Sequence, residues 1–367
     1  MRITAAVATA PGNPLELREV ELDAPRPTEV RVRLAATGVC HTDIAIRDQL
    51  YPTPLPAVLG HEGAGVVEEV GSEAWAVSPG DHVVLSLNSC GRCRHCLTAH
   101  PAYCEDAFAH NFGGRRPDGS TALHDGPQEL SGQFFGQSSF ATHANVAERS
   151  VVPVPADLPL RTLAPLGCGV QTGAGAVLNV LRPSPGSALA VFGAGSVGSA
   201  ALLAARLTGC TRIIAVDVLD DRLAAARELG ATDVVHAGTE DVVERLRALT
   251  GGRGIDVGVE TTGRPEVLRQ AADSVAIRGE VGLVGAAEPG TETPLETGIS
   301  LTKGWTFRTI VEGDAVPQTF LPHLVELWQQ GRFPFDRIIA HYPFARINEA
   351  VADAERGRCV KPVLLFD

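Results

Sequence analysis

Two rhythms of apolar and polar residues divide the chain. In its first part the apolar positions come in short runs. Residues 30–34 alternate, and 65–70 and 82–87 are brief apolar stretches separated by Gly, Pro and Asp. Such punctuation predicts a β-rich region. Residues 106–139 are polar and glycine-rich, including the run Gly113-Gly-Arg-Arg-Pro-Asp-Gly-Ser120, and predict a long irregular segment. Near Leu166 the rhythm changes. Strands predicted at 187–192, 212–217, 234–236, 255–260 and 280–285 alternate with helices at 197–208, 220–229, 240–250 and 265–276. The helix at Asp220 opens on an acid, as helices prefer. Repeated β–α alternation means a parallel sheet covered on both faces. A helix near 320–330 and a last strand near 361–366 follow, and 305–310 is a further strand candidate. The fold class is therefore α/β, with a β-rich part beside a doubly wound one.

Composition narrows the function. Of 367 residues, 44% are hydrophobic and 20% charged, which suits a chain with a sizeable core. Acids outnumber bases 43 to 31, for a net charge of −12, so no nucleic-acid partner is expected. The uncharged run 183–205 is long enough to suggest a membrane span. Pro183, Pro185, Gly186, Gly193, Gly195 and Gly198 break it into a strand, a turn and a helix, so no membrane partner is expected either. No basic segment followed by an apolar core opens the chain, and a cytoplasmic location is expected.

The motif Gly193-Ala-Gly195-Ser-Val197-Gly198 falls between a strand and a helix. The first glycine permits a tight turn, the second lets a pyrophosphate approach the backbone, and the third lets helix and strand pack closely. The helix N-terminus then offers free N–H groups to the anion. Asp217 ends the next strand, where a carboxylate can hold both ribose hydroxyls and repel a 2′-phosphate, so NAD is the expected cofactor. The alternative is an ordinary α/β turn with a capping acid.

Eight cysteines are present, and Cys90, Cys93, Cys96 and Cys104 lie close together. Four thiolates close a tetrahedral zinc shell with no open position, which suits a structural site. A redox pair or an iron–sulfur cluster fits the compact spacing less well. His95 and His100 lie in the same loop and are expected to face solvent. Elsewhere Cys40-His41-Thr42-Asp43, Gly60-His61-Glu62-Gly63 and Gly167-Cys168-Gly-Val-Gln-Thr172 each combine residue types suited to metal or proton chemistry. Taken singly, a cysteine is more often a small core residue than a ligand, and a histidine more often a satisfied polar group.

Taken together and in this order, these segments resemble the zinc-dependent medium-chain alcohol dehydrogenases, over essentially the whole chain. Pro165-Leu-Gly-Cys-Gly-Val-Gln-Thr-Gly173, Phe135-Gly-Gln-Ser-Ser-Phe140 and Gly331-Arg-Phe-Pro-Phe335 are most similar to the aryl- or benzyl-alcohol dehydrogenases. The resemblance implies a GroES-like zinc-binding catalytic domain from 1–169 and 313–367, and a Rossmann NAD-binding domain at 170–312. It implies two Zn2+ per chain, with Cys40, His61 and Cys168 on the catalytic one and a fourth position open. Asp43 would orient the ligand histidine, Glu62 would approach the metal during ligand exchange, and Thr42 would accept the hydroxyl proton. Ala45 stands where the animal liver-type pattern has a relay histidine, so His41 becomes the candidate for proton release or for the cofactor pyrophosphate. Thr172, Arg222 and Lys361 would contact the cofactor, Arg222 at the adenosine ribose and Lys361 at the pyrophosphate. Cys210 and Cys359 match no ligand position. Ser86 is expected near the substrate pocket, where a small residue leaves room for a ring.

The activity implied is reversible oxidation of a primary, aryl-type alcohol to its aldehyde. Terpene or allylic alcohols and a thiol–formaldehyde adduct are the nearest alternatives. A nucleotide-binding protein without catalysis, or a redox or zinc-storage protein, would belong to other classes. The family's habit of joining nucleotide-domain sheets edge to edge makes a homodimer or homotetramer the expected assembly, with 305–310 as the edge.

Overall fold

The computed structural model describes residues 1–366 and divides them into two compact units. The first comprises Met1–Cys168, Val316–Glu326 and residues 338–366. The second comprises Gly169–Ala315 and Leu327–Arg337. The sequence had grouped 327–337 with the catalytic domain. That assignment is corrected, because Trp328, Phe333 and Phe335 form an aromatic cluster of their own that belongs to the second unit.

The first unit is β-rich. One sheet orders Ala57–Val58, Arg2–Ala8, Glu16–Leu22, Leu123–Asp125 and Gln128–Leu130. The other runs Val151–Val154, His82–Leu85, Gly63–Val70, Glu29–Gly38, Lys361–Leu365 and Ile339–Pro343, with His143–Ala147 also pairing Glu29–Gly38. Alternation explains the central strand: Val30, Val32 and Leu34 are buried with Val67, Val83 and Leu85, while Arg31 and Arg33 turn to acids on the neighbouring strand.

The segment 106–139 is more ordered than its composition suggested. It holds the helix Ala107–Phe112, a small hairpin and the turn Phe134–Gly136. Its polarity misled because Arg116 is buried and forms a two-pronged pair with Glu29 at 2.6 and 2.7 Å, which satisfies both charges.

The second unit carries a six-stranded sheet in the order Asp233–His236, Arg212–Asp217, Ala188–Phe192, Ile255–Glu260, Val275–Leu283, Thr306–Thr309. Every pairing is parallel. The order reverses at Ala188–Phe192, which has Arg212–Asp217 on one side and Ile255–Glu260 on the other. Ligands of doubly wound sheets bind at that switch point. Among the described residues, no helix is long and apolar enough to cross a membrane.

Candidate active site

Close backbone approach assembles the first cluster. The strands Glu29–Gly38 and Gly63–Val70 pair with Thr37 opposite Gly63, and Gly38 N–H donates to Glu62 O at 3.0 Å. This register brings Cys40, just past one strand, beside His61, just before the other. Cys168 arrives from a separate segment. A Cβ on Gly167 would lie 1.9 Å from Leu85 O, so only glycine allows the chain this close. Ser86 is fully buried and its hydroxyl donates to Gly167 O at 2.7 Å, so it secures this contact and offers no exposed pocket wall.

Asp43 organises two of these segments. Its Oδ2 accepts from Cys40 N–H at 2.9 Å. Its Oδ1 accepts from Gly60 N–H at 3.0 Å and faces His61 Nδ1 at 2.8 Å. An ionised carboxylate only accepts, so Nδ1 carries the proton and Nε2 presents a lone pair. His61 is fully buried, and Nε2 has no hydrogen-bond partner. A buried ring nitrogen without a partner is unfavourable unless a cation takes its lone pair. The Cys40, His61, Glu62 and Cys168 ligand atoms all lie within 4.8 Å of one another. The donor set therefore fits a zinc ion held by two thiolates and an imidazole.

Burial and close charges perturb the groups of this cluster. A hydrogen bond with Cys168 lowers the Cys40 thiol well below its ordinary range, burial opposes this, and the Lys361 charge adds to the lowering. Burial lifts the Glu62 carboxyl to about 7, against the pull of the Lys361 ammonium. Lys361 itself is 1% exposed, and its Nζ donates to both Glu62 oxygens at 2.8 Å and to Val39 O at 3.2 Å. The expectation that Lys361 meets the cofactor pyrophosphate is thus corrected. Its ammonium is buried, and Glu62 supplies the anion it pairs with. A Cβ on Gly38 would lie 1.9 Å from Glu62 Oε2, so that glycine makes room for the carboxylate.

Thr42 is half-buried, its hydroxyl 3.8 Å from Cys40 Sγ, and His41 is exposed at the start of the short helix His41–Arg47.

The four-cysteine loop forms a second cluster. Cys96 Sγ lies 3.9 Å from Cys90 Sγ and 3.5 Å from Cys93 Sγ, and Cys90 N–H points at Cys104 Sγ at 3.3 Å. These separations exceed a disulfide bond of about 2.05 Å. They bracket the edge of about 3.8 Å expected for thiolates around zinc at about 2.3 Å. Backbone N–H groups, first of Cys96 and then of Glu105, pull the Cys93 thiol down to about 6. His95 and His100 are exposed.

In the second unit, each glycine of the fingerprint has its own reason. Gly193 has φ of +92°, a conformation that favours glycine. A Cβ on Gly198 would meet Gly193 O at 1.8 Å, while one on Gly195 would meet nothing within 4 Å. The middle glycine thus faces open space at the N-terminus of Ser196–Ala205, and Val197 lies in its first turn. Asp217 Oδ2 accepts from Ala194 N–H at 2.7 Å, and Oδ1 from Val218 and Leu219 N–H at 2.7 and 3.0 Å. Arg222 Nη1 stands 3.8 Å from Asp217, and its Nε is buried without a partner. Thr172 is buried, with its hydroxyl 3.4 Å from Glu312 Oε2. The sequence reading missed Glu312, which also accepts from Gln171 at 2.8 Å. No motif flagged it, because it stands far along the chain from both partners. The loop and Asp217 fit a dinucleotide.

A doubly wound sheet with a glycine-lined switch point, carried in one chain with an open cluster of two thiolates and an imidazole, defines a metal-dependent oxidoreductase. Residues 196–329 match the zinc-binding dehydrogenase family, and residues 26–156 match the alcohol dehydrogenase GroES-like domain. The chain is 46% identical over 364 residues to geraniol dehydrogenase of Castellaniella defragrans, covering 99% of this chain and 97% of that one. It is 35% identical to S-(hydroxymethyl)glutathione dehydrogenase of Saccharomyces cerevisiae, covering 100% and 97%. The crystal structure of benzyl alcohol dehydrogenase from Acinetobacter calcoaceticus superposes with a TM-score of 0.97 at 44% identity over all of both chains. The chain belongs to the zinc-dependent medium-chain alcohol dehydrogenase family.

Proposed function

We propose that this alcohol dehydrogenase interconverts a primary aryl-type alcohol and its aldehyde with NAD. The observation that carries the chemistry is the partnerless, buried Nε2 of His61 facing the thiols of Cys40 and Cys168. These three residues hold the catalytic zinc, and Cys90, Cys93, Cys96 and Cys104 hold a structural one. The catalytic zinc supplies Lewis acidity that favours loss of the hydroxyl proton. Asp43 fixes the tautomer and orientation of His61. Thr42 takes the substrate proton, and exposed His41 passes it to solvent, since Ala45 offers no titratable group. Lys361 holds Glu62 beside the ligands. Gly193, Gly195, Val197 and Gly198 receive the pyrophosphate, Asp217 and Arg222 the adenosine ribose, and Thr172 the nicotinamide end.

The aryl reading draws on the likeness to benzyl alcohol dehydrogenase. Geraniol dehydrogenase, equally similar, supports terpene alcohols as the second reading. NADH formation with benzyl, cinnamyl, terpene and short aliphatic alcohols separates them. Aromatic alcohols should rank highest by kcat/KM, and geraniol ranking above them would reverse the assignment. NADP should serve poorly, and better use of NADP than NAD would overturn the role of Asp217. Metal analysis should return two zincs per chain.

A further inference from the structure

Asp43 ties the Cys40 and His61 segments together, and a different residue ties His61 to Cys168. We infer that Gln137 is a positioning residue for the catalytic metal site. The inference rests on the reading of Cys40, His61 and Cys168 as zinc ligands. Gln137 is 1% exposed, and its amide is fully used. Oε1 accepts from Gly63 N–H at 3.1 Å, while Nε2 donates to His61 O at 3.0 Å and to Ser86 O at 3.3 Å. The amide thus brackets the histidine's own backbone. The same Nε2 also reaches Ser86 O, and the Ser86 hydroxyl grips Gly167 beside Cys168. One side chain therefore sets the spacing between two ligand-bearing segments that are distant in sequence.

The surrounding chain is shaped to deliver this amide. Phe135, Gly136 and Ser138 have φ of +51°, +65° and +53°, and such a conformation in non-glycine residues is held only by its surroundings. Ser139 N–H donates to Gly60 O at 2.8 Å and Phe140 N–H to Leu59 O at 2.9 Å. The left-handed turn also lays the Phe135 ring over His61, with centroids 4.5 Å apart and planes at 26°. The motif Phe135–Phe140, which the chemistry left unexplained, thereby becomes a clamp on the loop that carries His61.

Gln137→Met keeps the volume and removes all three hydrogen bonds. Partners that orient metal ligands are typically worth 10–100-fold in metal affinity. A chelator should therefore withdraw the catalytic zinc about 10–100-fold faster than from the parent, with the four-cysteine zinc retained as an internal standard. The visible spectrum of the cobalt(II)-substituted catalytic site should shift as well. Ser86→Ala, which cuts the far end of the same strut, should reproduce both effects. Ser139→Ala, which removes only the buried hydroxyl bond to Thr37 at 2.8 Å, should show neither. An unchanged rate and spectrum in Gln137→Met and Ser86→Ala would overturn the proposal, as would equal loss of both metals. If Gln137→Met does not fold, Ser86→Ala alone decides. A parent holding only the four-cysteine zinc would instead sink the catalytic-site reading, and the strut with it.

Discussion

A lysine and a glutamate sealed together show how far a side chain's role depends on its surroundings. Lys361 and Glu62 are both essentially buried, and each satisfies the other's charge. Removing one member of such a pair strands the other, at about 3–5 kcal/mol. Lys361→Met should lower the thermal midpoint markedly. Adding Glu62→Gln should recover much of that loss, because a neutral amide tolerates burial better than an unpaired carboxylate. Thermal unfolding of the two variants checks this, and a single variant as stable as the parent would contradict the pairing. The four-cysteine loop, Gly193 and Asp217 were legible from their spacing, whereas Cys40, His61, Asp43 and Cys168 became candidates through the family resemblance. Lys361 drew its expected cofactor role from its place in the family pattern, and the pairing of Lys361–Leu365 with Glu29–Gly38, which buries it, lies beyond what spacing reveals.

At the scale of the element, the turn between Ala188–Phe192 and Ser196–Ala205 makes two glycines separable. Gly195→Ala adds a methyl to open space and should leave the thermal midpoint near that of the parent. It should raise KM for NAD about tenfold or more, which corresponds to about 1.4 kcal/mol of lost binding. Gly198→Ala drives a methyl into Gly193 O and should destabilise the protein whether or not cofactor is present. Thermal shift and cofactor kinetics on both variants test the contrast, and equal effects on stability would refute it. The strands Ala188–Phe192, Arg212–Asp217 and Ile255–Glu260 were readable because each buries a local apolar run, whereas the helices Gly169–Gly175 and Thr297–Lys303 were not foreseen. The segment 106–139 was not, since its order comes from partners such as Glu29, far away in the chain.

For the whole molecule, assembly turns on one sheet edge. Thr306–Thr309 borders the parallel sheet on one side only, and all four residues are exposed. Leu301 and Ile299, in the preceding helix, are exposed at 85% and 66%. An exposed edge invites pairing with a second copy. The expected outcome is a homodimer or homotetramer by light scattering, and Phe307→Lys with Thr309→Pro should lower its mass. A parent that runs as a monomer would remove this expectation. Metal dependence is also a property of the molecule as a whole, because ligands must lose their protons to bind. Mild acidification or chelation should abolish activity, and added zinc should restore it.

By itself the sequence determined the α/β class, the glycine loop with its acid and two sets of candidate metal ligands, because periodicity and close spacing encode local structure, while the catalytic chemistry came in through the family resemblance. The tertiary structure alone decided what lies between those residues. It paired Lys361 with Glu62, moved Leu327–Arg337 into the second unit, turned Ser86 into a grip on Gly167, and set Gln137 across two ligand segments. Such contacts join residues far apart in the chain, and they are fixed by strand register and by where a missing Cβ lets two backbones meet.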